Sequence, residues 1–214
     1  MSDEIELPVI VDGDEHTRTF VFAHGAGAGK DHEFMQDVAK GLSDNGIRVV
    51  RFDFPYMAKR AIDGKRRPPD RAPKLLEAYA KIIEQQQGKV VIGGKSMGGR
   101  MASLSFEHDQ VLGVACLGFP FHPPKKLDKF KGEHLADISK PTLILQGERD
   151  TFGNREEVSE YSLSDKVTVE WINDGDHSFS PRKRSGFTYE QNITFTVERL
   201  TSFINHCFDN QEQG

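Results

Sequence analysis

Apolar residues follow two rhythms along the chain. Short, nearly continuous apolar runs occupy residues 19–23, 47–54, 89–94, 111–119 and 142–145, and they predict strands covered on both faces. Between them, apolar residues recur at helical spacing. Phe34, Val38 and Leu42 predict a helix that stops at Asp44-Asn45-Gly46, and Leu75, Leu76, Tyr79, Ile82 and Ile83 predict one over 73–87. Ile193, Val197, Leu200, Phe203, Ile204 and Cys207 stripe a closing helix over 188–207. Further helices are expected over 97–108 and 155–162, and an edge strand over 5–11. Val167, Val169 and Trp171 alternate as in a strand. Residues 56–73 read as a basic, proline-containing connection, and 120–140 as a mixed loop with one short helix. Strands alternating with helices predict an α/β fold: a mostly parallel central sheet of about seven strands, with helices on both faces. One domain spanning 1–214 is expected, with no room for a large lid.

In such sheets the active crevice lies beyond the carboxyl ends of the strands. The run 89–94 leads straight into Gly93-Gly94-Lys95-Ser96-Met97-Gly98-Gly99-Arg100. Gly94-x-Ser96-x-Gly98 fits a nucleophile elbow, a strained strand-to-helix turn that lifts a serine hydroxyl clear of the backbone. Two rival readings fail on single positions. A phosphate loop would need glycine where Lys89 stands, since Gly88 is one position early, and a dinucleotide-binding loop after Gly25-x-Gly27 would need glycine where Lys30 stands.

A serine hydroxyl needs an adjacent base, and the base needs an acid to fix its tautomer. His177 and Asp150 each follow a predicted strand, in the order Ser96, Asp150, His177. Asp176, adjacent to His177, and Glu148, within the turn, are poorer acids. The developing oxyanion requires two backbone donors. Met97 N–H is one; Ala26 N–H, in His24-Gly25-Ala26-Gly27-Ala28-Gly29, is the other, with Gly27 next in line. His24, Gly25, Gly27, Tyr56 and His122 are expected to line the substrate pocket.

Composition narrows the field. The net charge of −5 gives no overall pull toward nucleic acid or membranes. The positive charges concentrate in 59–71 and 182–184, which reads either as a basic rim that attracts an anionic acyl substrate or as a solvated, flexible surface. No run reaches membrane-span length, and the acidic start Met1-Ser2-Asp3-Glu4 does not resemble a signal peptide. Cys116 and Cys207 read as buried thiols, and a cytoplasmic location is expected. The scattered histidines offer no metal ligand set, and no cofactor is expected.

The chain resembles the α/β-hydrolase fold superfamily. It is similar to the branch that includes testis-expressed protein 30 and the hydrolase-like domain of subunit 3 of the NSL histone-acetyltransferase complex. The resemblance rests on residues 24–29, on Arg51-Phe-Asp-Phe-Pro-Tyr56, on residues 67–73 and 93–100, on Phe121-His-Pro-Pro124, on Leu145-Gln-Gly-Glu-Arg-Asp-Thr-Phe-Gly153 and on Asp176-His-Ser-Phe179. It implies a serine-hydrolase triad at Ser96, Asp150 and His177, acting on an ester or thioester of a small molecule. Two alternatives share the same residues: an acyltransferase, and a non-catalytic scaffold that keeps the fold.

Overall fold

The computed structural model describes residues 7–211. Among these residues, seven strands form one sheet: β1 (Val9–Asp12), β2 (Arg18–Ala23), β3 (Ile47–Phe52), β4 (Val90–Lys95), β5 (Val111–Leu117), β6 (Thr142–Gly147) and β7 (Val167–Ile172). Their order is β1-β3-β2-β4-β5-β6-β7, and all neighbours are parallel except β1 with β3. Among the described residues, six α-helices accompany them: α1 (Glu33–Asp44), α2 (Pro55–Asp63), α3 (Ala72–Glu84), α4 (Met97–Leu104), α5 (Arg155–Ser159) and, after the last strand, α6 (Tyr189–Gln211). This is the expected α/β-hydrolase fold.

The period-two alternation of the strands divides the core into two layers. Phe20, Phe22, Val91, Leu117 and Leu145 point to the face covered by α1 and α6, where Phe34, Val38, Leu42, Ile193, Leu200 and Ile204 meet them. Val21, Ile92, Cys116 and Ile144 point to the face holding Tyr79 and Ile82 of α3 and Met101 of α4. Each central strand is thus buried on both sides, which is why its sequence reads as a continuous apolar run.

Several expected boundaries shift. The edge strand expected over 5–11 is β1, whose ladder begins after Pro8, a residue with no N–H to give it; residues 5 and 6 lie outside the described range. β3 ends at Phe52 because Phe54 already caps α2. The helix expected over 97–108 stops at Leu104, and α5 stops at Ser159. α6 runs on to Gln211. The loop 120–140 holds one 3-10 turn, Glu133–Ala136. The largest correction is α2, which occupies the first half of the supposed basic connection. Pro55 opens it, Tyr56, Met57 and Ala58 bury its first turn, and Gly64 at φ 70° ends it.

Candidate active site

Ser96 sits between β4 and α4 at φ 51° and ψ −117°, a conformation that side-chain-bearing residues rarely adopt. The surrounding packing holds it there: Ser96 N–H donates to Leu117 O at 2.9 Å, and α4 lies close against β2 and β4. His177 Nε2 lies 2.9 Å from Ser96 Oγ, and His177 Nδ1 lies 2.8 Å from Asp150 Oδ2. Three strand ends therefore bring one hydroxyl, one imidazole and one carboxylate into a hydrogen-bonded row.

The acid end of the row is fully buried and fully bonded. Asp150 Oδ1 accepts from Phe152 N–H at 2.8 Å, and Oδ2 also accepts from Gln146 Nε2 at 3.1 Å. Gln146 is locked in turn, accepting from Phe119 N–H through Oε1. The Phe152 ring stacks on His177 at 4.2 Å between centroids. Gln146 and Phe152 escaped sequence reasoning, because a neutral amide and an apolar ring carry no chemical signal of their own. Asp176 accepts from Ser178 and Ser180 N–H, and Glu148 accepts from Asp174 N–H and Arg155, so both carboxylates have other duties.

A cavity of about 300 Å³ opens above Ser96, bounded by Gly25, Ala26, Gly27, Ala28, Phe34, Met35, Phe152 and His177 among others. Of the expected pocket residues, Gly25 and Gly27 line it. His24, Tyr56 and His122 do not. His24 and Tyr56 are buried behind the loop that forms one wall. His122 is buried elsewhere, with Nε2 3.1 Å from Glu157 and Nδ1 2.9 Å from Pro123 O. Met97 opens α4, so its N–H has no acceptor within the helix.

Lys95 also borders the cavity. Its ammonium donates to His177 O and lies 5.6 Å and 5.8 Å from the centroids of the Phe34 and Phe179 rings. Burial pushes its pKa down to about 8, against weaker opposing pulls from Asp150 and Asp176. The charged form is therefore disfavoured in the folded state. Its cost, roughly 3 kcal/mol at most, is fully present below pH 8 and fades as the pH rises toward the unfolded value of 10.5. Urea unfolding at pH 7.5 and pH 10 should show the difference between Lys95→Met and wild type moving in favour of wild type at the higher pH. A constant difference would mean that Lys95 titrates normally.

A second serine–histidine contact, Ser103 Oγ to His134 Nε2 at 2.7 Å, is not a rival nucleophile. Ser103 is fully buried and gives its proton to Arg100 O. Burial first, then Arg100, lowers the His134 pKa to about 4. No residue of the basic stretches 59–71 and 182–184 lines the cavity; Arg67 pairs with Asp63, Arg182 with Asp174, and Arg60 donates to Gly27 O at 3.1 Å. Among the described residues, no three His, Cys, Asp or Glu side chains stand together as a metal would need, and no helix is long and apolar enough to cross a membrane.

The fold has its match in known proteins. The fold is shared with Est1E from Butyrivibrio proteoclasticus, solved with ferulic acid bound, at TM-score 0.71, with 15% identity and 97% of each chain covered. Dienelactone hydrolase from Anabaena variabilis matches at TM-score 0.72, with 19% identity over 96% of this chain and 94% of that one. A serine hydrolase without a lid from Xanthomonas campestris matches at TM-score 0.64, with 17% identity over 96% and 89%. The profile of one family, described as the alpha/beta hydrolase domain, matches residues 16–205. The chain belongs to the alpha/beta hydrolase domain family.

Proposed function

We propose that this protein is a serine hydrolase that cleaves an ester or thioester of a small acyl group through an acyl-enzyme at Ser96. The observation that carries the reading is the unbroken row from Ser96 Oγ through His177 to Asp150. Ser96 Oγ attacks the acyl carbonyl while His177 Nε2 takes its proton. Asp150 holds the imidazole and stabilises its charged form. The amides of Met97 and Ala26 receive the oxyanion. His177 then protonates the leaving group, and a water, deprotonated by the same nitrogen, releases the acyl group.

Ala26, Ala28, Phe34, Met35 and Phe152 on the cavity walls favour an apolar acyl group of modest size. Arg60, bonded to the cavity-wall residue Gly27, supports an anionic group on the part of the substrate outside the cavity. The motifs at 51–56, 67–73 and 93–100 support a place beside testis-expressed protein 30 and the NSL subunit domain. The two free, buried thiols, Cys116 and Cys207, support a cytoplasmic setting. A fluorophosphonate probe tests the reading directly. Mass spectrometry is expected to find one adduct, on Ser96, and p-nitrophenyl acetate is expected to be turned over. An unlabelled protein that turns over no short ester or thioester would leave the scaffold reading in its place.

A further inference from the structure

We infer that Tyr56 is a positioning residue for the oxyanion site: by holding the carbonyls of Gly25 and Ala26, it turns the amides of Ala26 and Gly27 toward Ser96. The inference rests on the hydrolase reading above and adds a residue to it.

The loop at 24–30 has no regular structure to orient its peptide groups. Side chains from the β3–α2 segment, together with His24 of the loop itself, do so instead. Tyr56 Oη lies 2.8 Å from Ala26 O and 3.3 Å from Gly25 O. His24 Nδ1 lies 2.6 Å from Gly25 O. Its proton position follows from its other nitrogen: Nε2 accepts from Phe54 N–H at 3.0 Å, so Nδ1 carries the proton and donates. Arg60 holds the next carbonyl, Gly27 O. At the far end of the loop, Asp53 accepts from Lys30 N–H at 2.9 Å and from Lys30 Nζ at 2.8 Å.

In a trans peptide, the C=O of one residue and the N–H of the next point in opposite directions. The carbonyls of Gly25 and Ala26 point to Tyr56, on the buried side of the loop away from the cavity. The N–H groups of Ala26 and Gly27 therefore point to the cavity side, where Ser96 lies; a Cβ built on Gly25 would stand 3.7 Å from Ser96 Cβ. Burial also keeps the two orienting groups in their useful forms. It raises the Tyr56 pKa, so the phenol stays protonated, and it lowers the His24 pKa, so the imidazole stays neutral. A donor fixed before the substrate arrives costs no reorganisation when charge develops, which is what makes such amides effective.

The test compares wild type with Tyr56→Phe, using p-nitrophenyl acetate as substrate and a short alkyl trifluoromethyl ketone as the oxyanion mimic. Tyr56→Phe is expected to lower kcat about 10- to 100-fold with little change in KM, and to weaken the ketone by about the same factor. A merely structural tyrosine would lower Tm and leave the ratio of ketone affinity to KM unchanged. Should Tyr56→Phe fail to fold, amide NMR of wild type with and without the ketone reads the same two N–H groups directly. The Ala26 and Gly27 N–H resonances are expected to move downfield when the ketone binds, as amides aimed at an oxyanion do, and unmoved resonances would overturn the inference. Equal ketone affinity in variant and wild type would overturn the inference while leaving the hydrolase reading intact. Failure of wild type to react with fluorophosphonate would remove the hydrolase reading itself.

Discussion

Asp150→Asn is expected to cut turnover of p-nitrophenyl acetate about 10⁴-fold while the protein stays folded, as the same exchange does in a serine-protease triad. The reason lies in the bonds around the carboxylate. Phe152 N–H donates to Oδ1, so the amide oxygen of an asparagine must take that place. Its NH₂ group then takes the place of Oδ2, facing His177 Nδ1. A donor there forces Nδ1 to be the acceptor and puts the ring proton on Nε2, the nitrogen that should receive the proton of Ser96. The base is lost although no atom has moved far. The amide also faces Gln146 Nε2, another donor, and Gln146 cannot turn without giving up its bond from Phe119 N–H. A loss of about 1–3 kcal/mol of stability is expected from that clash. Steady-state kinetics and a thermal melt read the two effects separately. A fall in kcat of less than about 10-fold would mean that Asp150 does not fix the tautomer.

The parts of this site that were legible in the sequence share one property: each lies where a periodic pattern breaks. Ser96 and Asp150 follow apolar runs and His177 an alternating strand, and strand ends meet at one edge of a parallel sheet whatever the details of packing. His24 and Tyr56 were legible as residues near the site, but not in their roles. Whether a side chain at a strand end faces a cavity or the back of a loop depends on the path of that loop, and residues 24–30 have no periodic pattern to reveal it. His122 shows the same limit, since its strand-end position is right and its side chain turns away toward Glu157. α2 was hidden because its buried residues, Tyr56, Met57 and Ala58, crowd into one turn instead of recurring at helical spacing. Arg51 and Asp53 are charged yet buried, inverting the usual reading of charge as surface; their partners, Asp12 and Lys30, are 39 and 23 positions away. Pairings over such distances have no local signature.

Gly98→Ala is expected to lose about 3 kcal/mol or more of stability, toward the upper end of what an inserted methyl group costs in a packed core. A Cβ at Gly98 would lie 2.5 Å from both Ala23 O and His24 O. These are backbone atoms at the end of β2, which is paired on one side with β3 and on the other with β4, so they cannot retreat. α4 would have to lift instead, carrying Met97 and the strained Ser96 with it. For a chain of 214 residues the loss corresponds to a fall in Tm of roughly 6–12 °C. Turnover should fall further than the melt alone explains, because His24 begins the loop that presents Ala26, while Met97 rides on α4. The methyl group would drive the two oxyanion donors apart. Gly27→Ala separates this effect from glycine loss in general: a Cβ there meets nothing within 4 Å, so its stability should stay within about 0.5 kcal/mol of wild type. If the two variants melt together, the close approach of α4 to β2 is not what holds the elbow in place.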